Sequence, residues 1–310
     1  MPGRNRYTIQ KVRIGMKIIP FWGCMILLKY PQMEKAVRYS MEKLDVELVD
    51  DTRFSCCPDP IYFKAADKTT WYTLAARNIS IAEEHELDLI TMCSGCTSTL
   101  CEVNYHLKKD DKLRDKVNKS LKKIGREFRG TINVRHVVTL LRDDIEMEKI
   151  KRSISHPLHD LKVAIHYGCH LLKPSEIMKV DDPVIPRILA ELIDATGATP
   201  VNHKEYLLCC GKACQEYELT LSMSTDVFQS IQDSKADCMG LICPTCFDSF
   251  DLGQIRVSRK LDKDFNIPII YYFQLLALAQ GASVNDIGLK YHKVLPSEFL
   301  EKLEQRLAVS

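Results

Sequence analysis

The sequence predicts an α/β protein of two homologous domains related by a pseudo-twofold, each with a mostly parallel sheet. Three observations lead there. Five cysteines recur twice in the same order and at nearly the same spacing. Short apolar runs alternate with helical patterns, the signature of strands separated by crossover helices. The 310 residues are enough for two domains that each bury a core.

Residues 1–15 carry Arg4, Arg6, Lys11 and Arg13 and no acid, and read as a loosely ordered basic arm. "MKIIPFWGC" (16–24) is then a strand ending at Cys24. The apolar run "IIPFWGCMILL" (18–28) imitates an export signal, but no small-residue cleavage site follows and it is too short to span a bilayer. A buried strand is the better reading. "YPQMEKAVRYSMEKL" (30–44) has helical periodicity, "FSCCPDP" (54–60) sets Cys56 beside Cys57, and "LDLITMC" (87–93) is a strand running into Cys93 and Cys96. The charged stretch 108–130 intersperses acids with bases and has no aromatic beyond Phe128, so it reads as a solvated helix linking the halves, not a nucleic-acid surface. "HVVTLL" (136–141) reads as a strand entering a helix.

The boundary falls near "SHPLHD" (155–160), where Pro157 interrupts helix, giving domains 16–155 and 156–310. The second domain repeats the first. "LKVAIHYGC" (161–169) is a strand ending at Cys169, and "DPVIPRILAELIDATG" (182–197) a helix stopped by Gly197. "CCGKACQ" (209–215) holds Cys209 and Cys210, "MGLIC" (239–243) is a strand leading to Cys243 and Cys246, and "YYFQLL" (271–276) echoes "HVVTLL". The two frames are C-x31-CC-x35-C-x2-C and C-x39-CC-x32-C-x2-C. In open parallel sheets ligands sit beyond the carboxyl ends of strands, where Cys24, Cys93, Cys169 and Cys243 lie. Each set should therefore converge on one crevice.

Composition narrows the chemistry. With 43 basic against 41 acidic residues the net charge is +2, which gives no global field for nucleic acid or an anionic membrane. A soluble small molecule or protein is the expected partner. The 13 cysteines are odd in number, belong to a long chain and include tight CxxC pairs. They therefore read as intracellular thiolates serving metal, not as a disulfide framework, and place the protein in the cytoplasm.

Thiolates at this density hold zinc or iron-sulfur clusters. Structural zinc and ordinary clusters take four ligands, and each half offers five. Either one cysteine per half is idle or the bound species is not a standard one. Neighbouring side chains in an extended segment face apart, so neither Cys-Cys pair closes readily on itself.

The two frames, with "FWGCMILLKYP", "MCSGCTSTL", "HYGCHLLKP" and "CPTCFDSFD" around them, resemble the paired CCG domains of the B-type subunit family of CoB-CoM heterodisulfide reductase. The resemblance runs from Met16 onward. It implies two noncubane 4Fe-4S clusters, one held by Cys24, Cys56, Cys57, Cys93 and Cys96, the other by Cys169, Cys209, Cys210, Cys243 and Cys246. The disulfide of coenzyme M and coenzyme B would lie between them and be reduced to two thiols, in anaerobic methane metabolism. The implied partners are an iron-sulfur subunit with two cubane clusters and a flavin-containing bifurcating subunit, fed by a hydrogenase or formate dehydrogenase. No nucleic acid and no direct membrane insertion are implied.

One departure from the family pattern stands in the first half, where Pro58 replaces the glycine present as Gly211 and removes an amide donor beside the cysteines. The sulfonate and phosphate of such a substrate call for donors, and His166, His170, Lys173, Lys204 and Lys212 lie near the cysteines in sequence, although for each a surface lysine or a histidine capping a strand end is the better reading. Cys101, Cys214 and Cys238 fall outside both frames; the first two fall on helices and read as small buried hydrophobes. Tyr206, Tyr217, Tyr271 and Tyr272 read as packing. The competing readings are a CCG-domain component of another oxidoreductase, of hydroxy-acid or thiol-fumarate type, and a zinc-binding scaffold.

Overall fold

A computed structural model describes residues 15–214 and 216–308. Of the basic arm, all but Gly15 lies outside the described residues. Among the described residues eight strands form two sheets. β1 (Met16–Phe21), β2 (Val46–Leu48), β3 (Leu89–Thr91) and β4 (Val134–His136) make the first, in the order β2-β1-β3-β4. β5 (Lys162–His166), β6 (Thr199–Val201), β7 (Cys238–Leu241) and β8 (Ile269–Tyr271) make the second, in the order β6-β5-β7-β8. Every pairing is parallel. The same strand order in both halves is the structural counterpart of the repeated cysteines.

Parallel strands are covered on both faces by their crossover helices, so their sequences are nearly continuous apolar runs. Ile18, Ile19 and Phe21 of β1 are buried, as are Val163, Ala164 and Ile165 of β5. Of the run resembling an export signal only its first part, 18–21, is this inner strand; Gly23–Leu28 form a short helix on which Leu27 and Leu28 are exposed, because the positive φ of Gly23 turns the chain out of the sheet. Among the described residues no helix is long and apolar enough to cross a membrane.

After β1 the chain moves to one side to form β2, then to the other to form β3. Adjacent connections therefore leave β1 and β3 in opposite directions, which opens a crevice at their carboxyl ends. Cys24 follows β1 and Cys93 follows β3, and Cys169 and Cys243 stand in the same relation to β5 and β7.

The two sheets share one continuous apolar core. The helix Tyr272–Ala279 is buried along its whole length and packs against the first-half helix Pro31–Lys43, with Tyr39 donating its hydroxyl to the Gln280 carbonyl at 3.3 Å. The chain passes between halves at Ser155 and His156, whose amides both donate to the Ala279 carbonyl at 2.9 and 2.8 Å. Gly197, at φ +85°, ends the helix Ile188–Ala195, and an added Cβ would come within 2.8 Å of Pro157.

The charged stretch differs from its sequence reading. Its helix, Asp111–Leu121, is capped by Asp110 and buries Val117, Asn118 and Leu121. It packs on the helix Lys68–Glu84 and leads into β4. It therefore joins two elements of the first sheet and does not link the halves. Its alternating charges masked an ordinary amphipathic face, and the Asn118 amide fixes the following turn through Phe128 at 2.9 and 3.0 Å.

Candidate metal centre

The site is built from four strand ends and two loops. After β1, Gly23 turns the chain at φ +72° into the short helix Gly23–Leu28, whose second residue is Cys24. A side chain at Gly23 would bring a Cβ to 2.8 Å from the Cys96 sulfur. Gly168 repeats the turn at φ +78°, with Cys246 at 3.3 Å from its would-be Cβ. Both glycines are needed for backbone conformation and for close approach to a thiol. Cys93 caps the helix Ser94–Lys109 and Cys243 caps the helix Pro244–Leu261, so the second cysteine of each CxxC lies in the first helical turn. Unpaired amides there favour a thiolate.

All thirteen cysteines are free thiols. Within each adjacent pair one side chain is buried and the other more exposed: Cys57 is buried and Cys56 exposed, Cys210 buried and Cys209 half-buried. The ten frame thiols form an unbroken series of neighbours. Cys24 contacts Cys56, Cys56 contacts Cys57, Cys57 contacts Cys96 and Cys96 contacts Cys93. The Cys93 and Cys243 sulfurs are 3.9 Å apart. Beyond them the order reverses, from Cys243 through Cys246, Cys210 and Cys209 to Cys169, the last two sulfurs 3.7 Å apart. The series reads the same from either end under the internal repeat.

All ten line a single cavity of about 340 Å³, together with Met25, Tyr62, His170, Lys212 and Thr245. Contacts between the halves close its rim. Tyr62 donates to the Ala213 carbonyl at 2.5 Å, and His170 Nδ1 lies 3.3 Å from Ser98 Oγ. Asp248, almost fully buried, accepts from Tyr30 at 2.5 Å and pairs with Lys29 of the first half and with Lys212 at 2.7 Å.

Ionising one thiol in this crowd opposes ionising the next. Hydrogen bonds from Cys56 and Cys96 draw Cys57 down to about 6. Hydrogen bonds from Cys169 and Cys210, helped by the Gly211 amide, draw Cys209 down to about 2. Their neighbours move the other way: Cys93 rises to about 12 beside Cys243, and Cys210 to about 12 beside Cys209. Ten thiolates at this spacing need cationic charge among them, which a metal group supplies. The donors surround a volume and do not focus on a point: among the described residues no three His, Cys, Asp or Glu side chains are grouped to hold a single ion. A polynuclear cationic group fits this donor set.

The residues outside the frames separate cleanly. Cys101 is buried and donates to the Val134 carbonyl at 3.2 Å, and Cys238 is buried within β7. Cys214 lies in the loop before the helix Tyr217–Ser234, not on a helix as its spacing suggested, because Gly211 at φ +75° and the turn it starts delay the helix. None of the three lines the cavity. Of the five donors near the cysteines, His170 and Lys212 line it; Lys173 and Lys204 do not, and His166 is buried behind it. The clamp of Lys29, Tyr30 and Asp248 escaped sequence reading because its members lie more than 200 residues apart. The available signal was positional, since Asp248 follows Cys246 by two residues on the helix and Lys29 and Tyr30 end the turn begun at Cys24.

The cysteine-rich (CCG) domain family matches this chain twice, over residues 18–101 and 163–251, so the protein belongs to the class built from two such domains. The B-type subunit of ferredoxin:CoB-CoM heterodisulfide reductase from Methanosarcina mazei is 40% identical over 93% of this chain and 97% of its own length. A protein of Archaeoglobus profundus, named for its likeness to the same heterodisulfide reductase component, is 32% identical over 84% of this chain and 89% of its own. The 8-methylmenaquinol:fumarate reductase membrane anchor subunit of Wolinella succinogenes is 26% identical over 88% and 95%. The chain belongs to the family of heterodisulfide reductase B-type subunits, a family of oxidoreductases. A hypothetical protein of known crystal structure from Helicobacter pylori shares the fold, with a TM-score of 0.71 and 16% identity over 91% of this chain. The present chain spans about half of it, 52%.

Proposed function

We propose that this chain is the catalytic subunit of a heterodisulfide reductase and reduces the disulfide of coenzyme M and coenzyme B to two thiols. Cys24, Cys56, Cys57, Cys93 and Cys96 hold one noncubane 4Fe-4S cluster, and Cys169, Cys209, Cys210, Cys243 and Cys246 hold the other. The observation that carries this reading is the single cavity lined by both quintets, with the sets meeting where Cys93 faces Cys243. When bound, the iron-sulfur groups supply the electrons and a Lewis-acidic site for sulfur. The reaction takes up two electrons and two protons for each S–S bond broken.

The protein's own part is to hold the reacting bond at the junction of the halves and to exclude water there. Lys212 and His170 on the cavity wall offer donors to an anionic substrate group. The domains are those of residues 16–155 and 156–310, working as one unit over their shared core.

Electrons arrive from outside the chain. Its relatives are named as subunits of reductases, which supports a place in a complex. The donors are an iron-sulfur subunit with two cubane clusters and a flavin-containing bifurcating subunit, with a hydrogenase or formate dehydrogenase upstream, in the cytoplasm of an anaerobe that metabolises methane.

Anaerobically purified protein should contain about four iron and four sulfide per half, and should reduce the heterodisulfide with an artificial dye donor. Cys209→Ser should abolish that activity. Equal rates for variant and wild type overturn the proposal, as does one zinc per half without visible absorbance. Activity on a fumarate-linked or hydroxy-acid couple with none on the heterodisulfide assigns the chain to another reductase of the same class.

A further inference from the structure

The repeat makes the two cysteine sets alike, but three residues make their surroundings differ. The first difference is in the backbone. The Gly211 amide donates to the Cys209 thiol, whereas Pro58 holds the equivalent place after Cys56-Cys57 and has no N–H to give.

The second difference is at the ends of the inner strands. His166 ends β5 where Phe21 ends β1. It is fully buried, its ring stands edge-on to Phe250 at 4.7 Å, and neither ring nitrogen has a partner among the described residues. Cys209 and Cys243 lie within electrostatic reach of it. A neutral imidazole carries a proton on one nitrogen. A buried N–H therefore stands beside the second cysteine set without an acceptor.

The third difference is at the ends of the outer strands. His136 ends β4 where Tyr271 ends β8. The Val138 amide donates to His136 Nδ1 at 3.2 Å, which fixes that nitrogen as the acceptor and puts the ring proton on Nε2. His136 Nε2 is buried without a partner among the described residues, and Cys243, across the junction, lies within electrostatic reach. Tyr271 reaches across in the opposite direction, but its hydroxyl is already bonded to the Met92 carbonyl at 2.9 Å. Leaving such a donor unsatisfied in the interior carries its full desolvation penalty. Two buried N–H donors near the second set, against one buried hydroxyl without a partner among the described residues, that of Ser94 between Cys93 and Cys96 of the first, weight the donors toward an acceptor at the second site.

We infer that His136 and His166 are positioning residues that donate N–H hydrogen bonds to the sulfur-rich group held by Cys169, Cys209, Cys210, Cys243 and Cys246, so that this group is reduced before the one held by the first set. Each donor stabilises the negative charge gained on one-electron reduction, which raises the potential. The inference rests on the iron-sulfur reading of the site given above. It assigns an order to the two groups: an incoming electron settles in the second half first.

The test is a redox titration of the anaerobic, loaded full-length chain followed by electron paramagnetic resonance. The wild type should show two steps, and Cys209→Ser but not Cys56→Ser should remove the upper one. His166→Phe and His136→Phe should keep their iron and sulfide, yet make the upper step about tenfold less favourable, a shift of about 59 mV for one electron. His166→Gln and His136→Gln, which retain an N–H, should stay close to the wild type. Loss of the upper step in Cys56→Ser overturns the inference alone, and so does an upper step that does not move in fully loaded phenylalanine variants. A wild-type chain that holds no iron and sulfide overturns the functional reading, and the inference with it.

Discussion

The Cys93 and Cys243 sulfurs face each other at 3.9 Å across the junction of the halves. They are the inner ends of two thiol series whose outer ends are Cys24 and Cys169. A substitution at the junction therefore disturbs a neighbour in the other half, whereas one at an outer end does not. Residues in direct contact couple, and separated ones act independently. Cys169→Ser should remove about half of the bound iron and leave the first set filled, while Cys243→Ser should remove more than half. Iron and acid-labile sulfide per chain measure this. Equal losses from both variants would show that the halves load independently.

The turn glycines give a second comparison. Alanine at Gly23 or Gly168 meets backbone strain, because φ is +72° and +78°. The contacts differ. The added Cβ would lie 2.8 Å from the Cys96 sulfur in one case and 3.3 Å from the Cys246 sulfur in the other. Gly23→Ala must displace a thiol of the site outright, whereas at Gly168 the Cys246 sulfur must give by only a few tenths of an ångström. Gly23→Ala should lose most of the first set's iron, whereas Gly168→Ala should keep most of the second set's. Retention of full iron by Gly23→Ala would mean that Cys96 moves freely.

Much of this architecture was legible in the chain. The repeated frames announced two like units, and the runs ending at Cys24, Cys93, Cys169 and Cys243 became strands whose carboxyl ends open on the cavity. That legibility has a physical origin, because parallel strands are covered on both faces and a thiol ligand must follow them closely. The contacts that join the units left no such trace. Tyr30 with Asp248, Tyr39 with Gln280 and Tyr271 with Met92 are each made between residues far apart in sequence, and none obeys a local period. The charged helix misled because charge alternation reports solvent on one face and says nothing of which elements the other face joins.

Asp248 joins the halves through charge. Burial opposes its ionisation, but hydrogen bonds from Lys212, Lys29 and Tyr30 outweigh this and hold its pKa down at about 2. The Lys29 and Lys212 side chains are 46% and 42% exposed, so solvent screens part of their attraction. Asp248→Asn should cost about 1–3 kcal/mol, seen in urea unfolding of the anaerobic protein. A depressed folded-state pKa gives stability that is whole above the unfolded value, about 4, and is lost as pH falls through about 2. The gap between wild type and variant should therefore be constant near neutrality and close in acid. A gap that widens below pH 4 would exclude this role for the carboxylate.

Tyr271 joins them without charge. Its hydroxyl, fully buried, donates to the Met92 carbonyl at 2.9 Å, one residue before Cys93. Burial, then the Cys93 and Cys243 thiols, push its pKa well above the ordinary phenol value, so it stays a neutral donor wherever the protein is folded. Tyr271→Phe removes one neutral hydrogen bond and leaves a buried carbonyl lone pair, a loss of about 1 kcal/mol. Cys93 holds the N-cap position of the helix Ser94–Lys109, whose backbone the change does not touch. Iron content should therefore match the wild type, with unfolding shifted by the same amount at every pH between about 6 and 9. A deficit that grows with pH would mean that the wild-type phenol ionises in the fold, and iron loss at neutral pH would mean that Tyr271 positions Cys93 directly.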